Sequence, residues 1–127
     1  GNALSLAAAR ATLEQVLTED AFATMIALCT RYHEGVERTI ATHGVPWSAS
    51  QLGARSEYRF TAPAPRNGTE SHAATDVDLE DYLHLYLVNR GVLLTPFHNM
   101  ALMCPATTEA DVDLHLRLFD EAVGTLT

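Results

Sequence analysis

The order of local signals along the chain predicts an α+β fold, with a short, mainly antiparallel sheet covered by helices. Two observations carry this expectation. Residues 3–43 contain no proline and repeat apolar side chains at helical steps, whereas residues 48–61 switch to a period of two. Beyond residue 75, two further helical stretches bracket short apolar runs. The resulting order is helix, helix, strand, loop, helix, strand, strand, helix, with no internal repeat, low-complexity tract or domain boundary.

Residues 3–17 (ALSLAAARATLEQVL) are helix formers. Leu6, Leu13 and Leu17 give a partial stripe, and the small alanines permit close approach to a neighbour. The second helix runs from Glu19 to His43. Thr18 is its N-cap, Glu19 and Asp20 favour its first turn, and Gly44 with Pro46 stops it. Phe22, Ile26, Cys29, His33, Val36 and Ile40 recur at steps of four and three and form its expected inner face. Ser48 to Thr61 reads as one strand, bent or bulged near Gly53, with Arg55, Glu57 and Arg59 on one side and Ser56, Tyr58 and Phe60 on the other. Residues 62–72 (APAPRNGTESH) read as a polar, proline-rich loop. A third helix is expected over Asp76–Asn89, with Thr75 and Asp78 approximating a capping box, Leu79, Tyr82, Leu83, Tyr86 and Leu87 buried, and Gly91 as a left-handed stop. Val92–Thr95 reads as a short buried strand and Met100–Cys104 as another. Thr107 or Thr108 caps a last helix with Val112, Leu116, Phe119 and Val123 facing inward.

Composition narrows the function. Apolar residues make up 47% and charged residues 19%, which suits a folded chain. The net charge is −8, and all eight basic residues are arginines: Arg10, Arg31, Arg38, Arg55, Arg59, Arg66, Arg90 and Arg117. Without a lysine, this chain can host neither Schiff-base chemistry nor a phosphate-loop lysine. Scattered arginines with acids nearby argue against nucleic acid and against an anionic membrane surface as partners. No apolar run approaches the roughly 20 residues that cross a bilayer. Cys29 and Cys104, far apart and outside any CxxC pattern, read as reduced thiols of a cytoplasmic protein. The abrupt opening at Gly1-Asn2 leads to the expectation of a piece of something longer, with an exposed apolar surface on its first helix.

Few residues point to chemistry by themselves. The six histidines, His33, His43, His72, His84, His98 and His115, form neither an i, i+4 pair nor an HExxH motif, so no metal is expected. Cys29 belongs to an apolar helix face, and Cys104 has no evident base. Arg55 follows Gly53 in a strand and stands two residues from Glu57. Its fork can grip a carboxylate through two hydrogen bonds, or it can simply pair with Glu57. Arg59 has the same options. Thr95-Pro96-Phe97-His98-Asn99-Met100 follows a core strand with polar and aromatic groups, a place where loops carry function.

Taken together, three segments resemble a family. Gly1-Asn2-Ala3-Leu4-Ser5-Leu6-Ala7-Ala8 resembles the GN-x-L-x-x-AA segment of class III, pyridoxal-phosphate-dependent aminotransferases. Arg90-Gly91-Val92-Leu93-Leu94-Thr95-Pro96 is similar to their late GV-x-L-x-P strand. Thr107-Thr108-Glu109-Ala110-Asp111-Val112-Asp113 is similar to the start of their final helix. The branch it resembles is that of glutamate-1-semialdehyde 2,1-aminomutase.

The resemblance implies the small C-terminal domain of a fold-type-I enzyme, with residues 1–43 as opening helices and 44–127 as the α+β unit. A large domain outside this chain would supply the cofactor-binding lysine, and a homodimer would complete the enzyme. Amino acids and keto acids or aldehydes would be the substrates and pyridoxal phosphate the cofactor. The chain would be inactive alone and would close one wall of the substrate pocket, with Arg55 holding a carboxylate, His98 and Asn99 giving the pocket polarity, and only the backbone near Gly1 and Asn2 close to the cofactor. The mutase branch carries a glutamate shortly after the late proline. No acid occurs here between Pro96 and Glu109, which favours a transaminase. The alternative is a free-standing, non-catalytic domain that binds a carboxylate ligand or a protein.

Overall fold

A computed structural model describes residues 1–95 and 99–127. Its elements are α1 (Ala3–Gln15), α2 (Glu19–His43), β1 (Ser48–Leu52), β2 (Arg55–Arg59), α3 (Gly68–Ala73), α4 (Val77–Val88), β3 (Met100–Leu102) and α5 (Glu109–Gly124). The three strands form one antiparallel sheet in the order β1-β2-β3. Helices α2, α4 and α5 close over its inner face, so the expected α+β architecture is present.

Residues 48–61 are a hairpin instead of one bent strand. Leu52 pairs with Arg55 around a two-residue loop, Gly53-Ala54, in which Gly53 has φ 57° and Ala54 has ordinary φ. Positive φ at the first loop position alone is the pattern of a type II′ turn, which only glycine adopts without cost. The side-chain alternation holds as expected. Ser56 and Tyr58 are buried, while Arg55, Glu57 and Arg59 share the outer face.

Helix α2 has the expected bounds. Its Thr18 cap accepts from the Ala21 N–H, and Gly44 is left-handed at φ 64°. Its buried face is rotated from the expected one: Met25, Leu28, Cys29, Tyr32, Gly35, Val36 and Thr39 face inward, while Phe22 and Ile26 are exposed. The cause is the crossing with α5. A Cβ on Gly35 would lie 2.4 Å from both δ carbons of Leu116, so the helices approach through this glycine and their contact sets the rotation. Gly35→Val should therefore destabilise the fold by about 1–3 kcal/mol through overpacking. Urea unfolding would show this, and Leu116→Ala in the same chain should recover part of the loss. Equal stability of Gly35→Val and the parent would refute this account of the crossing.

Three further elements differ from expectation. Residues 68–73 form helix α3 because Asn67 accepts the Glu70 N–H while Glu70 reaches back to the Arg66 N–H. Helix α4 is capped by Asp76, whose carboxylate accepts from the Leu79 N–H, and not by Thr75. Val92–Thr95 is no strand: Val92 donates to Leu87 across the Gly91 turn, and Leu93 is exposed. The last helix starts at a reciprocal Thr108–Asp111 capping box. The core between sheet and helices holds Trp47, Tyr58, Leu83, Phe119 and Val123, with tilted Tyr58–Phe119 rings 4.9 Å apart. No residue of α1 is buried, and Leu4, Leu6 and Leu13 stand out in solvent as expected of the first helix.

Candidate functional site

The outer face of the sheet gathers the groups with the most chemical potential. Alternation along β2 brings Arg55, Glu57 and Arg59 into one row. Glu57 lies between the two guanidinium groups: one carboxylate oxygen accepts from Arg55 Nη2, and the other contacts Arg59 Nη2 as an ion pair. That second oxygen is buried and, among the described residues, has no hydrogen-bond partner besides this ion pair. Arg55 Nε points at the Met100 sulfur, 2.7 Å away, because Met100 sits opposite Glu57 across the β2–β3 ladder. The Arg55 side chain is 45% exposed and that of Glu57 only 11%. Both sequence readings of Arg55 are therefore compatible with its position: it pairs with Glu57, and it still presents guanidinium surface to solvent. A half-exposed fork held at the start of a strand can take a carboxylate in a defined orientation.

The other expected site residues lie elsewhere. Asn99 is buried on the inner side, where its carbonyl accepts the Tyr58 N–H at 3.0 Å and its Nδ2 finds no partner among the described residues. It lines a small recess with Tyr58, Glu80, His84 and Thr95. Arg55 and Asn99 thus occupy opposite faces of the sheet. His98 lies outside the described residues. Gly1 is exposed, and Asn2 caps α1 by accepting the Leu4 N–H at 2.9 Å.

Sequence reasoning missed a buried imidazole. His115 sits on the inner face of α5, 4.7 Å from the Tyr32 ring centroid, with Nε2 3.5 Å from the Tyr32 hydroxyl and Nδ1 unpartnered among the described residues. Burial lowers its pKa from 6.5 to about 3, so it is neutral. Its place three residues after Val112 and four before Phe119 was the available signal. His115 and Tyr32 wall a cleft of about 330 Å³, otherwise lined mainly by apolar residues from 92–95 and 100–104. Cys104 opens onto this cleft, its pKa lowered by the Thr107 hydroxyl, while burial pushes the Cys29 thiol up to about 11. Both cysteines are free thiols. Among the described residues no cluster of three metal-ligating side chains forms, and no helix is long and apolar enough to cross a membrane.

A comparison with protein-family models finds no match. Solved structures do match. A glutamate-1-semialdehyde-aminomutase from Pseudomonas aeruginosa PAO1 is 54% identical to this chain, with a TM-score of 0.97 over 100% of it and 28% of that protein. A variant of it was solved in complex with PMP. Glutamate-1-semialdehyde 2,1-aminomutase of Bacillus subtilis (strain 168) is 29% identical over 114 residues, which is 89% of this chain and 26% of the relative. An omega-transaminase from Sphaerobacter thermophilus shares the fold at 19% identity, with a TM-score of 0.72 over 85% of this chain and 25% of that one. The chain thus spans about a quarter of the length of the proteins it matches. In sequence and in fold it matches the C-terminal segment of glutamate-1-semialdehyde aminomutase, and its α+β architecture matches the small C-terminal domain of the class III, fold-type-I pyridoxal-phosphate enzymes.

Proposed function

We propose that this chain is the pocket-closing domain of a cytoplasmic, homodimeric, pyridoxal-phosphate-dependent aminotransferase, with residues 1–43 leading into the α+β unit of 44–127. The observation that carries the reading is the 54% identity and near-complete superposition on part of an aminomutase. The cofactor would supply the electron sink for amino transfer. The residues of this chain do not suit it as sole holder, because no lysine is present to bond its aldehyde. That lysine belongs to the large domain that this reading places outside residues 1–127, and no step through the cofactor is derived from this chain.

The part assigned to the chain is to bind and orient. Arg55 receives the carboxylate of an amino-acid or keto-acid substrate, exchanging its contact with Glu57 for a bidentate one. Asn99, buried on the opposite face of the sheet, does not share a pocket with Arg55, and in this reading the backbone at Gly1 and Asn2 lies nearest the cofactor. The stretch from Pro96 to Glu109 has no acid, so transamination is the favoured outcome over intramolecular amino exchange.

The test is made in the longer enzyme. Arg55→Ala should raise KM for a carboxylate-bearing substrate by about ten- to a hundredfold, the loss of one charge-assisted bidentate contact worth about 1.5–3 kcal/mol. The effect on an amine lacking a carboxylate should be small. Equal KM values in parent and variant would take the substrate away from Arg55, and a longer protein that fails to bind pyridoxal phosphate would refute the reading as a whole.

A further inference from the structure

The outer face of the sheet carries a charge imbalance. Arg10, Arg31, Arg66 and Arg117 each pair with one acid, namely Glu14, Asp113, Glu70 and Glu121. Arg55 and Arg59 instead share Glu57, which leaves one uncompensated positive charge on the face of a protein whose net charge is −8. Arg59 is the more enclosed of the two arginines, with its side chain 19% exposed. Together with Glu57 it lines a recess of about 130 Å³ bounded by Ser48 and Ser50 of β1, Ser71 of α3, and the Ala64-Pro65 segment. Among the described residues, the Arg59 side chain has no polar partner other than Glu57, so most of its five N–H donors lack a protein acceptor.

We infer that this recess is a binding seat for a small monocarboxylate anion, gripped by Arg59 with help from the serine hydroxyls. Three features argue together. A partly desolvated guanidinium with spare donors seeks a planar acceptor, and carboxylate fits its fork. Ser48, Ser50 and Ser71 line the same space, and a serine hydroxyl is able to donate to an anion seated there. The recess is well below the roughly 300 Å³ at which drug-sized pockets begin, so it selects a small ligand. One net positive charge on the face matches one negative charge on the ligand. Glu57 sets the affinity: it positions both arginines and competes with the incoming anion for Arg59. The inference goes beyond the function proposed above, because it needs no cofactor and uses Arg55 only as the second cation that shares Glu57.

The test is a titration of the 127-residue chain with propionate, following the Arg59 Nε–H and the backbone amides of residues 48–50 by NMR. Saturable shifts confined to these groups are expected, with a dissociation constant in the millimolar range typical of one exposed ion contact. Arg59→Gln should abolish saturation, and Arg59→Lys should retain a weakened response because charge persists without the fork. Glu57→Gln should tighten binding about tenfold by removing the competing anion. Non-saturating shifts, unchanged binding in Arg59→Gln, or weaker binding in Glu57→Gln would each overturn the inference. The Arg55→Ala comparison in the longer enzyme reads KM for a substrate, whereas this titration reads shifts at Arg59 and residues 48–50, so failure of one is distinguishable from failure of the other.

Discussion

Replacing Phe119 by alanine is expected to lower the unfolding free energy by about 3–5 kcal/mol, the usual cost of emptying a phenylalanine site in a core. Phe119 is fully buried. Its ring lies 4.9 Å from that of Tyr58, 5.6 Å from that of His115 and 6.4 Å from that of Trp47, so it joins β2, α5 and the segment before β1. A domain of this size has only about 5–15 kcal/mol to lose. In urea the transition midpoint should fall steeply while its slope stays constant. Leu13→Ala is the contrasting case. Leu13 is 65% exposed on α1, and its truncation should change stability by less than about 0.5 kcal/mol. Similar losses in the two variants would mean that the core does not lie between the sheet and α5.

Those residues also show how much of the fold was legible beforehand. Tyr58 and Phe119 were assigned inward from alternation on β2 and periodicity on α5, and both are buried because each period is set by backbone geometry alone. The rotation of α2 was not legible. Its sequence carries two overlapping apolar stripes, and the choice between them is made by Leu116 of α5 sitting over Gly35, a contact 81 residues away along the chain. The hairpin was misread for a different reason. Gly53 gave a turn signal, but a bulge and a two-residue loop both call for a glycine with positive φ, and only the Leu52–Arg55 register separates them. Val92–Thr95 was read as a strand from its apolar run, yet pairing needs a neighbour, and β3 pairs with β2 instead.

The site was legible in part. Strand alternation alone put Arg55, Glu57 and Arg59 on one face, and that row is present. Glu57 as the shared counter-ion was visible only as a neighbour two positions away, since local sequence does not say whether two arginines have one acid between them or one each. Asn99 shows the opposite limit. It was assigned to the substrate pocket with His98 because its loop follows an expected core strand with polar and aromatic groups, whereas the Tyr58–Asn99 backbone bond turns it to the inner side. Loop residues take their facing from the strand that follows, and one position decides the face.

His115 should make the stability of this chain fall with acidity in a window that no surface carboxylate explains. The imidazole is neutral and buried in the fold, with its pKa lowered from 6.5 to about 3 by desolvation. Its only side-chain partner among the described residues is the Tyr32 hydroxyl, itself buried and held un-ionised, so nothing anionic compensates a proton there. Below 6.5 the unfolded chain takes up a proton at this residue that the folded chain refuses. The stabilisation is complete above 6.5 and is lost progressively as pH falls toward 3. At about 1.4 kcal/mol per pH unit, roughly 2 kcal/mol should be gone by about pH 5. His115→Phe keeps the ring between Tyr32 and Phe119 and removes the titration. Urea midpoints of the two proteins, measured from about pH 7 down to 5, should therefore diverge, with the parent losing stability faster by roughly 2 kcal/mol over the interval. Parallel pH profiles would mean that the imidazole is protonated, or reached by water, inside the folded chain.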